Sequence, residues 1–341
     1  MKKSLSTTVL VLLVSSNALA VSIQPMVIDS PPPELVSHSS ASLTPEQLMA
    51  AKTLSGVPAS SWWYGCTATS AGMLFGYYDS HGYPNMFAGD IVGDIDTATE
   101  RALIATQDHI DDYWIAYDSA GPDPWEANGW TEHTWGTCTA DFLGTSQWKW
   151  DYSSFPSTDG TRDTNTDGAT TLWFFSDGSP TYDVQIGALM GVDYGQPDTG
   201  LSHGLRMFAE SRGYSVAFEN GEYQSYNQYV DAMDLTYGFT YADYMAEIDA
   251  GRPVLLHVTG HTMLGIGYDD TNANNVILYD TWDYDTHSME WGTSYAARRH
   301  EGVTVLKLDP APTQDVPEPG TCALFGLGLI GFVAWRRRKA A

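Results

Sequence analysis

Apolar positions change their period once along this chain, near Gly251. Upstream they recur at helical spacing, and downstream they form short β-rich runs. Cys66-Thr67-Ala68-Thr69-Ser70-Ala71-Gly72-Met73 opens a stretch of small and apolar residues to about Asp79. It predicts a buried helix that starts directly from an aromatic loop, Trp62-Trp63-Tyr64-Gly65. Residues 43–54 predict a short helix with Ser42 or Thr44 near its cap. Between Thr97 and Tyr117, the positions Leu103, Ile110, Trp114 and Tyr117 form a helical face. Leu201, Leu205 and Phe208 mark another helix, ending near Arg212-Gly213. Thr240 caps a helix over Tyr241–Ile248, with Asp243 at the reciprocal capping-box position and Gly251 as the stop.

Past Gly251, Pro253–Val258, Thr262–Tyr268, Val276–Asp280 and Val303–Leu308 read as strands of an antiparallel meander, with Asn272-Ala273-Asn274-Asn275 as one turn. Residues 121–185 are Gly-, Asp- and Thr-rich and predict turns and short strands, and the Pro-rich stretch 21–42 predicts an exposed linker. Helices first and a sheet last is an α+β arrangement. The expectation is one domain over residues 43–310, with an N-terminal helical lobe packed on a C-terminal antiparallel β-sheet and a site in the cleft between them.

Both ends carry processing signals. Lys2 and Lys3, the apolar Thr8–Val14 and the A-x-A site Ala18-Leu19-Ala20 predict a secretory signal peptide over residues 1–20. Residues 311–341 contain Pro317-Glu318-Pro319, a Gly-rich apolar stretch from Cys322 to Trp335, and Arg336-Arg337-Arg338-Lys339. This tail resembles the PEP-CTERM sorting signal of Gram-negative bacteria. The resemblance implies an exosortase as partner and a short transmembrane segment that anchors the chain transiently in the inner membrane. It also implies cleavage near the Pro-Glu-Pro and transfer to the cell envelope or extracellular matrix. A plain C-terminal anchor is the alternative.

Charge narrows the partners. Asp and Glu number 42 against 16 Lys and Arg, a formal charge of −26. Such a field repels nucleic acid and anionic lipid, and it suits an extracellular protein that meets divalent cations. Of three cysteines, only Cys66 and Cys138 lie between the two processing signals. A single structural disulfide between them is one reading, and a reactive Cys66 beside a small buried Cys138 is the other.

The second reading has chemistry behind it. A thiol at a helix N-terminus feels the positive end of the helix dipole, which favours the nucleophilic thiolate. Far downstream, His261 stands in Gly260-His261-Thr262-Met263-Leu264-Gly265-Ile266-Gly267-Tyr268-Asp269, and Asp280 ends the next strand in Asp280-Thr281-Trp282. Cysteine, then histidine, then carboxylate is the chain order of a nucleophile, a base and a group that orients the base. With Gly65-Cys66 and Gly251-Arg252-Pro253-Val254, these motifs resemble the peptidase family thirty-nine-like branch of papain-fold cysteine peptidases, over roughly residues 55–310. That branch includes peptidases that cut double-glycine leaders. The resemblance implies Cys66 as nucleophile, His261 as general base and Asp280 as orienter, acting on a peptide or protein substrate with no cofactor required. Papain-type sites carry a Gln shortly before the Cys as an oxyanion donor, and residues 55–65 contain neither Gln nor Asn. The indole N–H of Trp62 or Trp63, or the hydroxyl of Ser61 or Tyr64, would have to replace it.

Three further patterns compete for attention. His257 and His261 are four apart, as in helical zinc sites, but they fall on a strand and loop with no intervening Glu. Asp163, Asn165 and Asp167, followed by Gly168, match the first half of a calcium loop, although position twelve is Phe174; an ordinary Asp-Gly turn is the alternative. Trp125, Trp130, Trp135, Trp148 and Trp150 cluster in the middle segment. They suit core packing, or, in a non-catalytic matrix protein, stacking against exopolysaccharide.

Overall fold

The computed structural model describes residues 21–28, 41–89, 91, 93–113, 136–146, 168–185, 200–271 and 273–311. The signal peptide, the half calcium loop at Asp163, Asn165 and Asp167, the clustered tryptophans and the sorting tail lie outside the described residues. Among the described residues no helix is long and apolar enough to cross a membrane.

The centre of the protein is a nine-stranded antiparallel sheet. Its main path runs β11 (His287–Glu290), β10 (Asn275–Tyr279), β9 (His261–Asp269), β8 (Val254–Val258), β13 (Arg298–Leu306), β7 (Ser225–Tyr229) and β4 (Thr181–Tyr182). β2 (Lys52–Thr53) joins β9, and β12 (Ser294–Tyr295) joins β13, while β5 (Phe218–Glu219) and β6 (Glu222–Tyr223) pair as a separate hairpin. The expected meander holds from β8 to β10, and β11, which was not expected, extends it. The chain then returns through β12, and β13 pairs with the free side of β8.

Both faces of this sheet are covered, and for that reason β8 is buried throughout and apolar at every position but His257. Leu255, Leu264, Ile266, Ile277 and Leu306 join a core with α2 (Cys66–Ser80), α5 (Thr139–Leu143) and α6 (Leu201–Ser211). The alternate positions Leu256, Val258, Met263, Val276, Val303 and Val305 join a second core with Tyr244 and Ile248 of α7 (Tyr241–Asp249), Trp282 and Trp291. The architecture is α+β, as expected.

Local signals explain most helix ends. Thr44 caps α1 (Pro45–Ala50) in a capping box with Gln47, and Thr240 caps α7 with Asp243. The helix predicted over 97–117 is instead two short helices in its described part, α3 (Ala98–Arg101) and α4 (Gln107–Tyr113). The break lets the Leu103 and Ile104 carbonyls accept the N–H groups of Thr139 and Ala140 at the start of α5. Residues 23–28 also depart from the expected linker. They form β1 (Ile23–Ile28), which pairs antiparallel with β3 (Thr170–Phe175), and Ile28 is buried. Pro25 does not prevent this, because β1 is an edge strand of a two-stranded sheet.

Candidate active site

The loop into α2 is tightly held. Tyr64 has φ +57° and Gly65 φ +109°, so two consecutive residues leave the ordinary backbone regions just before Cys66. A side chain at position 65 would also meet the Gly168 carbonyl at 2.5 Å, which makes Gly65 obligatory. Thr69 clasps the loop from one turn into the helix. Its Oγ1 accepts the Trp63 N–H at 3.0 Å and lies 2.7 Å from the Gly65 carbonyl. This turn places Cys66, fully buried, as the first residue of α2.

From there α2 is tied to the beginning of β9. The Thr262 N–H donates to Cys66 Sγ at 3.3 Å, and Ser70 Oγ donates to the Thr262 carbonyl at 3.3 Å. Thr67 Oγ1 lies 3.0 Å from Thr262 Oγ1, which lies 3.0 Å from His257 Nδ1. His257 Nε2 is 2.7 Å from Thr304 Oγ1, which donates to Asn227 Oδ1, and Asn227 in turn donates to the Trp173 carbonyl. The chain has one self-consistent direction, Thr67 to Thr262 to His257 to Thr304 to Asn227. It leaves His257 neutral, with hydrogen on Nε2 and the Nδ1 lone pair taken. Burial agrees, holding this imidazole down to about 3. With both nitrogens committed, His257 has no lone pair for zinc.

His261, also fully buried, opens β9 beside Thr262. Its Nε2 lies 2.7 Å from the main-chain carbonyl of Asp280, the residue that follows β10. A carbonyl only accepts, so Nε2 carries the hydrogen, and the neutral tautomer that this contact selects is the one with its lone pair on Nδ1. The Trp282 ring stacks on the imidazole with centroids 4.2 Å apart and planes 13° apart.

Asp280 therefore reaches His261 by a different route from the expected one. The contact to the imidazole is made by its peptide oxygen. Its carboxylate accepts the Trp282 N–H at 2.8 Å and the Tyr295 hydroxyl at 2.7 Å, and lies 3.6 Å from His287 Nε2. Burial raises this carboxyl above the ordinary range. Thr281, between Asp280 and Trp282, has φ +66°, which is unusual for a β-branched residue and marks a peptide turned against its local preference.

The two candidate oxyanion donors separate. The Trp63 indole donates to the Ala105 carbonyl at 3.3 Å and is already engaged. The Trp62 indole N–H is buried and has no hydrogen-bond acceptor among the described residues. Both rings line a cavity of about 500 Å³ with Tyr64, Gln107, Ile110 and Asp111.

Cys66 and Cys138 are both free thiols, so the disulfide reading fails. Cys138 is the small buried residue expected, its thiol pushed up by burial. It lies near His109 and Asp141, and that group has the composition of a metal site. However, His109 already bonds Asp141 through Nδ1 at 2.5 Å and the Thr145 carbonyl through Nε2 at 3.1 Å. The other Asp141 oxygen accepts the Gly136 and Thr137 N–H groups.

Residues that the sequence did not single out, Thr262 and Tyr295, hold the site together. For Thr262 a signal existed, since Thr67 and Ser70 put hydroxyls on the same side of an otherwise apolar helix.

Two family models match this chain. Residues 192–302 match the Peptidase_C39 like family, a stretch that includes His261 and Asp280 and leaves Cys66 outside. Residues 315–339 match the PEP-CTERM protein-sorting motif, which implies recognition by an exosortase, export and sorting to the envelope in Gram-negative bacteria. Searches of curated proteins and of solved structures found no match.

Proposed function

We propose that this chain is an exported papain-like cysteine peptidase whose nucleophile is Cys66, whose base is His261 and whose orienting group is the main-chain carbonyl of Asp280. The observation that carries the proposal is the junction of α2 and β9. It sets a thiol at a helix N-terminus against the Thr262 N–H, one residue from a histidine whose far nitrogen is fixed. The helix dipole and the N–H donor both favour sulfur as thiolate. The Asp280 carbonyl selects the tautomer with its lone pair on Nδ1, the nitrogen that takes the proton from sulfur.

The thiolate attacks the carbonyl carbon of a peptide or isopeptide bond, and the carbonyl π pair moves onto oxygen. The Cys66 main-chain N–H and the Trp62 indole N–H are the donors offered to that oxygen. Collapse breaks the C–N bond as the imidazolium returns its proton to the leaving amine. Water then attacks the thioester, losing a proton to His261, and frees the acid and the thiol. The cavity beside Trp62 and Trp63 is the proposed seat of substrate on this side of the nucleophile. The family match supports a peptidase-like protein, and the sorting motif supports export.

Iodoacetamide labelling followed against pH, with peptide mapping, tests the proposal. Cys66 should alkylate well below the ordinary thiol range near pH ~8.5, and His261→Ala should remove that low-pH reactivity. A native Cys66 that reacts only with the ordinary thiol profile, or only after unfolding, would overturn it.

A further inference from the structure

We infer that Tyr295 is a positioning residue for His261, holding both the peptide that fixes the imidazole and the ring stacked on it. The inference rests on the proposed role of His261 as base and identifies what keeps that base in place.

Three observations converge on Tyr295. Its hydroxyl donates to Asp280 Oδ2 at 2.7 Å, while the other carboxylate oxygen accepts the Trp282 N–H. The two donors grip the carboxylate of the residue whose main-chain oxygen takes the His261 Nε2 hydrogen. Asp280 is 1% exposed, so water does not replace a lost donor there. Second, the Tyr295 ring stacks on Trp282 with centroids 6.0 Å apart and planes 23° apart, backing the indole that covers His261. One side chain thus supports the imidazole through a hydrogen bond to one neighbour and ring packing on the other.

The third observation concerns how Tyr295 is delivered. It ends β12, and the next two residues, Ala296 and Ala297, sit at φ +47° and +62° before β13 begins. Two consecutive left-handed residues make the tight hairpin turn that Asn-Gly or Gly-Gly normally occupies, because a Cβ there is strained. Here alanines bear that strain, and Tyr295 pairs with Arg298 across the turn. Strain of this kind persists only where surrounding contacts over-determine it. The contacts in this case are the Asp280 carboxylate, the Trp282 face and the edge of the His287 ring.

The groups around Asp280 do not make Tyr295 redundant. His287 Nε2 is 2.9 Å from Asp283 and 3.6 Å from Asp280, so its short contact belongs to Asp283.

The test is Tyr295→Phe in the full chain, which keeps the stacked ring and removes one hydroxyl. Two readouts are needed: the iodoacetamide rate at Cys66 near neutral pH, and the imidazole ¹⁵N and Nε2–H resonances of His261. The alkylation rate should fall by roughly tenfold, the scale of one buried hydrogen bond. The Nε2–H signal should broaden or disappear while circular dichroism and the melting transition keep their native form. Tyr295→Leu, which also removes the ring, should fall further on both readouts. An unchanged His261 spectrum and an unchanged rate in Tyr295→Phe would overturn the inference. A wild-type Cys66 with the ordinary thiol profile would sink the peptidase reading instead, and the His261 resonances would still decide what Tyr295 holds. Should Tyr295→Phe fail to fold, Ala297→Gly is added to it, since glycine takes φ +62° without strain and steadies the hairpin. The His261 Nε2–H signal of the double variant should still broaden, and an unaltered signal there counts against Tyr295.

Discussion

The main-chain N–H of Thr262 donates to Cys66 Sγ across 3.3 Å, joining the first residue of a helix to the second residue of a strand 196 positions downstream. The same residue's hydroxyl sits between Thr67 and His257. One residue therefore links α2 to the polar chain that crosses the sheet through its hydroxyl, and supplies a donor to the thiol through its peptide. Thr262→Val should keep the N–H and break the chain, leaving His257 Nδ1 and Thr67 Oγ1 without their partner. The expected loss is about 1–3 kcal/mol of unfolding free energy, read as a lower urea midpoint at unchanged slope. A midpoint equal to that of the parent would mean that the chain contributes nothing to stability.

Acid should expose the buried histidines. His257 and His300 are both pushed down to about 3 by burial, against an ordinary value of 6.5. Above 6.5 both states leave them neutral, and their contribution is fully present. Between 6.5 and 3 the unfolded chain takes up protons that the folded one refuses, so stability falls as pH falls. Carboxylates held low in the fold, such as Asp183 and Asp249, act only below about 3.8, their ordinary value. The interval from pH 6.5 to about 4 is thus governed by these two histidines, with Asp280, whose carboxyl burial raises, acting in the opposite sense. Urea midpoints measured across it should decline steadily, and His300→Gln should flatten part of the slope. A flat profile between 6.5 and 4 would show that these rings titrate normally.

Some of this was legible in the chain and some was not. Thr240, Asp243 and Gly251 delimit α7 because caps act through nearest neighbours. The strands β8 to β10 follow from their β-branched runs, and His261 and Asp280 fall at the strand ends expected of them. The break after Arg101 was hidden, since it depends on Thr139 and Ala140 claiming carbonyls from a distant segment. Likewise β1 looked like a linker because its partner, β3, lies about 150 residues away in a stretch without clear periodicity. The route from Asp280 to His261 could not be read at all. A sequence shows which side chains exist, and this contact is made by a peptide oxygen whose direction depends on Thr281 at φ +66°.

That peptide route changes what substitutions should do. Asp280→Asn keeps the carbonyl, and its amide can still accept from Trp282 and contact Tyr295. The alkylation rate of Cys66 should fall much less than the loss caused by His261→Ala, by under tenfold if about one charge-assisted contact is weakened. His257→Ala should lower the urea midpoint while Cys66 keeps its low-pH reactivity, because that ring supports packing and never faces the thiol's proton. If His257→Ala silences Cys66 and His261→Ala does not, the roles are reversed.

The sorting tail makes a separate claim. Exosortase processing would remove the segment after Pro317-Glu318-Pro319. Mass spectrometry of protein recovered from the envelope should find no peptide containing Arg336–Lys339. Recovery of that peptide in stoichiometric amount would identify the tail as a retained anchor.

The two indoles before Cys66 give the sharpest internal control. Trp62 and Trp63 are adjacent, line the same cavity and have the same chemistry, yet only Trp63 has its N–H donated, to Ala105. The Trp62 N–H is buried without an acceptor among the described residues, a costly arrangement unless something accepts from it at another stage. An oxyanion that exists only in the transition state is such an acceptor. Replacing either residue with Phe keeps an aromatic wall and removes one N–H. Trp62→Phe should slow acylation of Cys66 by an activated peptidyl ester by up to roughly 10²–10³-fold, the usual cost of one oxyanion donor. Iodoacetamide forms no oxyanion, so its rate on the same variant should stay near that of the parent. Trp63→Phe should instead lower stability by about 1 kcal/mol through the orphaned Ala105 carbonyl and leave the ratio of the two reagents unchanged. Parallel losses with both reagents in Trp62→Phe would show that the indole shapes the loop and does not bind the oxyanion.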